Sequence, residues 1–182
     1  IVATFGFLAL TTFLGRPEIG LFIAVNDLVG ILGYFSDIGL AASLIQKKTK
    51  LTLEDLRTTF TLQQIVVLIL ICLVLLFARP LFDFYKISGA GTSLLYSLLF
   101  GFFLASLKTI PSVILERQLK FNVLASVEVL ENLVFYIVAV FMAWQGYGVM
   151  AYVWAVTLRG ILGTGLIYYL ASWPIGLAFS LS

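Results

Sequence analysis

The sequence predicts an all-α, polytopic membrane protein with about six transmembrane helices. Of its 182 residues, 62% are hydrophobic and 11% are charged, whereas an ordinary globular domain has roughly 25% charged residues. Apolar runs of about twenty residues recur between short polar breaks, as a bilayer core about 30 Å thick requires of helices. The spans must be helices, because a lone strand would leave its backbone groups unpaired in lipid.

The shortage of cysteine and histidine excludes several kinds of chemistry. The single cysteine, Cys72, lies in an apolar run, and the chain has no histidine. Disulfides and thiolate metal sites are therefore excluded, and most metal and acid–base mechanisms lose their usual residues. The net charge of +2 is too small to indicate binding of nucleic acid. We expect no metal, no cofactor and no enzymatic activity.

The first two spans are separated by a Gly-Arg-Pro-Glu turn. Span one covers residues 1–14, which is shorter than the roughly 20 residues that a crossing needs. Since the sequence also lacks an initiator methionine, we interpret it as a fragment that begins inside a first helix. Residues 15–18 form the turn, and span two covers about 19–45.

Span three follows the most polar segment of the chain, residues 46–57. Within that segment, Thr52 to Asp55 resembles a capping box, in which side chains satisfy the first free N–H groups of a helix. The capped helix runs into span three, about 60–77. An Arg-Pro pair at 79–80 is expected to end this span.

The last three spans are separated by short breaks. Span four covers about 92–115 and contains Pro111, which should kink the helix or free a carbonyl for another partner. Span five covers 123–144, and residues 145–148 make a glycine-containing turn. Span six covers 149–173.

The distribution of basic residues predicts the orientation. Each break between spans is numbered by the span that precedes it. Six basic residues lie in the even-numbered breaks, and three lie in the odd-numbered breaks. The even breaks hold Lys47, Lys48, Lys50, Arg57, Arg117 and Lys120, and the odd breaks hold Arg16, Arg79 and Lys86. The positive-inside rule therefore places the even breaks and the N-terminus in the cytoplasm.

Six ionisable residues fall within the predicted spans. They are Asp27, Asp37, Lys108, Glu128, Glu131 and Arg159. Each would cost at least a few kcal/mol near the bilayer centre if it faced lipid. We therefore expect these side chains to face protein or water.

Helix register predicts that Lys108 and Glu128 meet. Residues equally far from the turn between two antiparallel helices lie at equal depth, and a turn centred near Gln118 puts each of these residues ten positions away. Glu128, Glu131 and Asn132 stand at i, i+3 and i+4, so span five presents an acidic stripe to a neighbour or a cavity. The alternative is a set of buried ion pairs that only fixes helix packing.

A second pair, Glu131 and Arg159, is predicted nearer the midplane. With the next turn centred near Gly146, the two residues differ in depth by two positions, or roughly 3 Å. We favour a functional role for this pair, because charge this deep is costly when packing is its only task. Asp27 either binds a coupling cation or hydrogen-bonds a neighbouring helix, and both alternatives stay open.

Five stretches of the chain carry a recognisable pattern. They are residues 14–22 (LGRPEIGLF), 34–46 (YFSDIGLAASLIQ), 53–63 (LEDLRTTFTLQ), 111–121 (PSVILERQLKF) and 146–149 (GYGV). These stretches resemble bacterial oligosaccharide flippases, the polysaccharide transporter branch of the multidrug, oligosaccharidyl-lipid and polysaccharide exporter superfamily. The resemblance covers nearly the whole chain.

The resemblance implies that the chain is the N-terminal, six-helix lobe of a two-lobed exporter in the bacterial inner membrane. Such exporters move an undecaprenyl-pyrophosphate-linked oligosaccharide, such as an O-antigen, capsule or exopolysaccharide unit, from the cytoplasmic to the periplasmic leaflet by alternating access. Within the predicted spans only Arg159 and Lys108 are cations, so we expect them on the substrate path with Glu131, Glu128 and Asn132. Arg159 is expected to meet the phosphate, with Glu131 as its resting partner.

The expected partners are the lipid-linked oligosaccharide, membrane lipids and polysaccharide polymerase or assembly proteins. Asp27, Glu128 and Glu131 could instead carry a proton or a sodium ion in antiport. The main alternative is a multidrug or cation antiporter of the same superfamily, which would have an apolar, aromatic cavity with a lone acid. A membrane polymerase or ligase would need a sizeable external loop, and a purely structural membrane protein would not need charge at the midplane.

Overall fold

The computed structural model describes residues 2–36, 40–47, 51–85 and 89–171, and every regular element in these ranges is an α-helix. The helices are α1 (Val2–Phe13), α2 (Arg16–Ser36), α3 (Leu40–Gln46), α4 (Leu53–Tyr85), α5 (Gly89–Leu107), α6 (Thr109–Arg117), α7 (Phe121–Trp144) and α8 (Met150–Ala171). Within the described ranges, five helical segments are long and apolar enough to cross a membrane, and a shorter apolar helix precedes them. The chain is therefore an all-α, multi-pass membrane protein, as predicted.

Span four corresponds to two helices, α5 and α6. The described residues of span two belong to α2 and α3. Residues 37–39 lie outside the described ranges. That Asp37 faces protein or water therefore stays a prediction. The basic residues Lys48, Lys50 and Lys86 lie outside the described ranges as well.

The start of α4 confirms the predicted capping box. The N–H of Asp55 donates to Thr52 Oγ1 at 3.1 Å, and the N–H of Thr52 donates to Asp55 Oδ2 at 3.0 Å. Helix α4 continues past the Arg-Pro pair to Tyr85. That the membrane span itself ends at this pair stays a prediction. Pro80 removes only one helical hydrogen bond there, and the turns on either side keep the helix intact.

The break in span four confirms the prediction for Pro111. Because this proline has no N–H, the carbonyl of Leu107 loses its helical donor. The hydroxyl of Tyr168 on α8 donates to that carbonyl at 2.9 Å. The chain leaves the α-helical pattern at Lys108 and resumes it in α6. A side chain from α8 therefore satisfies the backbone where span four bends.

A second carbonyl at the same break is also bound by α8. The N–H of Lys108 donates to the carbonyl of Ala105 at 3.1 Å, which is the tighter, 3₁₀-type pattern. The carbonyl of Leu104, one residue earlier, instead accepts from the hydroxyl of Thr164 at 3.2 Å. Two hydrogen bonds from α8 thus fix the position of Lys108 in the bundle.

Within the described ranges, four of the breaks between spans lie in two groups. The N–H of Gly15 donates to Glu18 Oε2 at 2.8 Å, and Glu18 also lies against Gly148, where a Cβ atom would come within 2.5 Å of Oε1. The first and fifth breaks therefore lie together. Arg117 donates to the carbonyl of Lys47 at 2.8 Å, so the second and fourth breaks also lie together. This grouping is what alternate crossings of a membrane require.

Helix α8 packs most extensively against α7 and α5. Close approach to α5 depends on glycine, since a Cβ atom at Gly160 would lie 2.9 Å from Leu104 Cδ1 and 3.8 Å from the Cα atom of Gly101. Small residues allow helix backbones to approach in this way in membrane proteins. The crossing brings Arg159, the residue before Gly160, to the same region as the break in span four.

Candidate functional site: a charged cleft

A cleft of about 460 Å³ lies between α2, α5, α7 and α8, and it is called the charged cleft below. Its lining residues are Phe22, Asn26, Val29, Gly30 and Gly33 on α2, Leu98, Gly101, Phe102 and Ala105 on α5, Lys108 at the break, Glu131, Asn132, Phe135 and Tyr136 on α7, and Val156, Arg159 and Gly160 on α8. Lys108, Glu131 and Arg159 meet in this cleft and form a charged triad.

Glu131 is the centre of the triad and is held most tightly by Lys108. The ammonium Nζ of Lys108 donates to Glu131 Oε1 at 2.5 Å. The side chain of Glu131 is 7% exposed, and that of Lys108 is 20% exposed. A carboxylate at this depth requires an opposite charge, because an unpaired buried charge costs several kcal/mol. Lys108 supplies that charge from the break between α5 and α6.

Arg159 is the outer member of the triad. Its Nε atom lies 3.6 Å from Glu131 Oε2, and its side chain is 39% exposed. The guanidinium carbon lies 5.9 Å from the ring centroid of Phe135, within the range of a cation–π contact. No residue in the described ranges accepts a hydrogen bond from Arg159. Its N–H donors are therefore available to a ligand in the cleft.

Gly163 on α8 makes room for the carboxylate of Glu131. A Cβ atom at position 163 would overlap the carboxylate and would lie 2.7 Å from Glu131 Cγ. Gly163 itself is buried. Any larger residue there would push Glu131 away from Lys108, so the triad depends on this glycine.

The formal charges of the triad do not cancel. Two cations and one carboxylate leave one net positive charge in a largely apolar cleft. Electrostatic interactions are stronger there than in bulk water, because the surroundings have a low dielectric constant. The cleft therefore favours an anionic ligand over a cationic one.

The structure brings together four of the five residues predicted on the substrate path. Arg159, Lys108, Glu131 and Asn132 all line the charged cleft. The predicted pairing of Glu131 with Arg159 is confirmed, although Arg159 is the looser of its two partners. Glu128 is exposed and does not line the cleft.

The predicted pairing of Lys108 with Glu128 is wrong, because the turn is centred one residue later than the sequence suggested. Helix α6 ends at Arg117 and α7 begins at Phe121, so the centre is Leu119, which has a left-handed φ of 56°. Lys108 is then eleven positions before the centre and Glu131 twelve after it. One position is about 1.5 Å along a helix, which a lysine side chain easily spans.

Asp27 and Glu128, two of the three candidates for ion coupling, are both exposed and lie outside the lining of the charged cleft. Their role in coupling stays a prediction. The third candidate, Glu131, is already paired with two cations. Among the described residues, no group of three or more His, Cys, Asp or Glu side chains is placed to hold a metal ion.

Most residues of the site were not predicted from the sequence, and three of these bear directly on its charges and hydrogen bonds. Asn26 adds an amide to the cleft from α2, Phe135 stands beside Arg159, and Gly163 accommodates Glu131. Phe135 could have been found, because it follows Glu131 by four positions and so shares its helix face. The role of Gly163 depends on which helix packs against α7, and this has no local signal.

Comparison with known proteins identifies the family. Neither a curated protein nor a solved structure matches the chain. The sequence profile of one family, described as polysaccharide biosynthesis protein, matches residues 9–182. This match covers nearly the whole chain, so the protein belongs to the polysaccharide biosynthesis protein family.

Proposed function

We propose that this chain is one lobe of a flippase that moves an undecaprenyl-pyrophosphate-linked oligosaccharide from the cytoplasmic to the periplasmic leaflet of the bacterial inner membrane. Membership in a polysaccharide biosynthesis family and a multi-pass helical fold are the starting points. In this proposal the N-terminus is cytoplasmic, the protein is a transporter without catalytic residues, and polymerase or assembly proteins act beside it.

The observation that carries the proposal is the uncompensated positive charge of the triad. A pyrophosphate that crosses hydrocarbon needs cations and hydrogen-bond donors on its path, because it loses its hydration shell there. Arg159 offers a guanidinium with unused donors, and a guanidinium matches phosphate oxygens in a bidentate geometry. Lys108 adds a second cation to the same cleft.

The arrangement also explains how Arg159 could leave Glu131 at low cost. Removing one partner from an isolated buried ion pair leaves an unpaired charge, which typically costs 3–5 kcal/mol. Here Lys108 remains bound to Glu131 when Arg159 turns toward a phosphate. Arg159 then exchanges the carboxylate of Glu131 for a phosphate of the ligand. This exchange can be coupled to movement of the lobe if the ligand binds one conformation of the lobe better than the other.

The cation antiporter alternative fits the cleft less well. A cation-binding site would need an acid that is free to take the cation, whereas Glu131 is already neutralised by Lys108 and Arg159. Coupling of transport to a proton or a sodium ion through Asp27 or Glu128 remains compatible with the flippase, because both side chains are exposed.

The test replaces Arg159 with Gln in the full-length protein and measures the lipid-linked oligosaccharide that accumulates on the cytoplasmic leaflet of the host. Depletion of the protein and the R159Q variant should both cause accumulation. Arg16→Gln is the matched control, since Arg16 is exposed at the start of α2 and lies outside the cleft. R159K should retain part of the activity because it keeps the charge. Normal export by an R159Q protein present at normal levels would refute the role of Arg159, and no accumulation on depletion would refute the flippase.

A further inference from the structure

A second, polar crevice continues from the charged cleft toward the end of the bundle where α3 and α6 end. Its volume is about 450 Å³, and it shares Ala105 and Lys108 with the charged cleft. Helix α6 lines it with Thr109, Ser112 and Glu116, and α3 forms the opposite wall. The two cavities are thus neighbours, with Lys108 at their junction.

The polar groups of the crevice lie on one face of α6 and are available to a ligand. Thr109, Ser112 and Glu116 stand at i, i+3 and i+7, so their side chains align. In the part of the chain that the structure describes, the hydroxyl of Ser112 and the carboxylate of Glu116 have no hydrogen-bond partner. Thr109 Oγ1 accepts from Gln63 Nε2 at 2.8 Å, which leaves its own proton to donate. Many helical hydroxyls instead bond to their own helix, as Ser126 does at 2.8 Å.

The charge of the crevice differs from that of the charged cleft. Among the residues that line the crevice, Lys108 is the one cation, and Glu116 adds a negative charge. A phosphate is therefore attracted to the triad and repelled from the far end of the crevice. A neutral ligand rich in hydroxyl groups is instead favoured in the crevice, since its hydroxyls can donate to a carboxylate and exchange hydrogen bonds with serine and threonine.

We infer that the crevice is a saccharide-binding subsite, which holds the sugar next to the diphosphate of the lipid-linked oligosaccharide. The volume lies within the range of roughly 300–1,000 Å³ for small-molecule sites. Ala42 and Ile45 on the wall formed by α3 provide apolar contacts for the C–H face of a sugar ring. This inference rests on the proposed function, and it adds a site for the glycan to the site for the phosphates.

The test compares two probes that have the same lipid tail and differ in the glycan. Undecaprenyl diphosphate carries the anion alone, and the undecaprenyl-diphosphate-linked oligosaccharide extracted from the host carries both parts. Binding of each probe to the purified full-length protein is measured in detergent. Glu116→Gln and Ser112→Ala should each lower affinity for the glycosylated probe, E116Q by about tenfold, since a charge-assisted hydrogen bond is lost. Neither substitution should weaken the binding of undecaprenyl diphosphate.

Two further variants separate the subsite from the proposed function. Glu54→Gln removes an exposed carboxylate that does not line the crevice, and it should change the binding of neither probe. Arg159→Gln should weaken both probes, and no effect of R159Q on either would refute the anion site itself. The subsite is overturned if E116Q and S112A leave the glycosylated probe unaffected, or if they weaken the two probes equally.

Discussion

Replacing Gly163 with alanine should destabilise the protein through Glu131. A Cβ atom at this position would overlap the Glu131 carboxylate, which is buried and bonded to Lys108. If Glu131 must leave Lys108, the loss is that of a broken buried ion pair, about 3–5 kcal/mol. Alanine regains up to about 1 kcal/mol of helix propensity relative to glycine. The net cost is therefore about 2–4 kcal/mol.

Gly165 on the same helix is the matched control, because a Cβ atom there would meet no other atom within 4 Å. G165A should be neutral or slightly stabilising. Thermal unfolding of the purified protein in detergent, followed by tryptophan fluorescence, should place the Tm of G163A below that of G165A by on the order of 10 °C. Equal melting temperatures would refute the role assigned to Gly163. In an E131A background the G163A substitution should cost little further, since the overlapping carboxylate is gone.

Two other predictions concern the bend in span four and the lipid-facing surface. Tyr168→Phe should destabilise the protein by about 1–3 kcal/mol in the same unfolding assay, because the carbonyl of Leu107 loses its donor. Tyr169→Phe is the control and should have no effect, since Tyr169 is 82% exposed. Equal stability of the two variants would show that the hydroxyl of Tyr168 does not contribute. Cys72 is exposed within the apolar part of α4 and should resist a maleimide in open membrane fragments, because a reagent dissolved in water does not reach a thiol in hydrocarbon. A cysteine substituted for the exposed Lys120 should react under the same conditions, and rapid labelling of Cys72 would show that water reaches α4.

Much of the site could be predicted because its residues are conspicuous in the sequence. Lys108, Glu131 and Arg159 are charges in apolar runs, and the cost of exposing them to lipid requires them to face the protein or water. Asn132 follows from the same reasoning, since it shares a helix face with Glu131. Glu128 shares that face too, yet it is exposed, because the packing of α7 covers one turn of the stripe and leaves the preceding turn open.

The pairing of these charges was harder to predict than their identity. Register in a helical hairpin depends on the centre of its turn, and the left-handed Leu119 shifted that centre by one residue. Moving the centre by one residue moves the position opposite Lys108 by two, from 128 to 130, which is about 3 Å in depth and about 200° around the helix. That shift was enough to exchange Glu128 for Glu131 as the partner of Lys108.

The sequence alone determined that this protein is a helical membrane protein, and it singled out Lys108, Glu131 and Arg159 as charges in apolar runs. These properties follow from local composition, because the bilayer acts on each segment separately through its length and hydropathy. Only the tertiary structure decided that Glu131 lies between Lys108 and Arg159, that Gly163 provides its space, and that α8 binds the backbone at the break in span four. Those features depend on helix rotation, turn geometry and close packing between segments far apart in the chain, for which no single segment carries a signal.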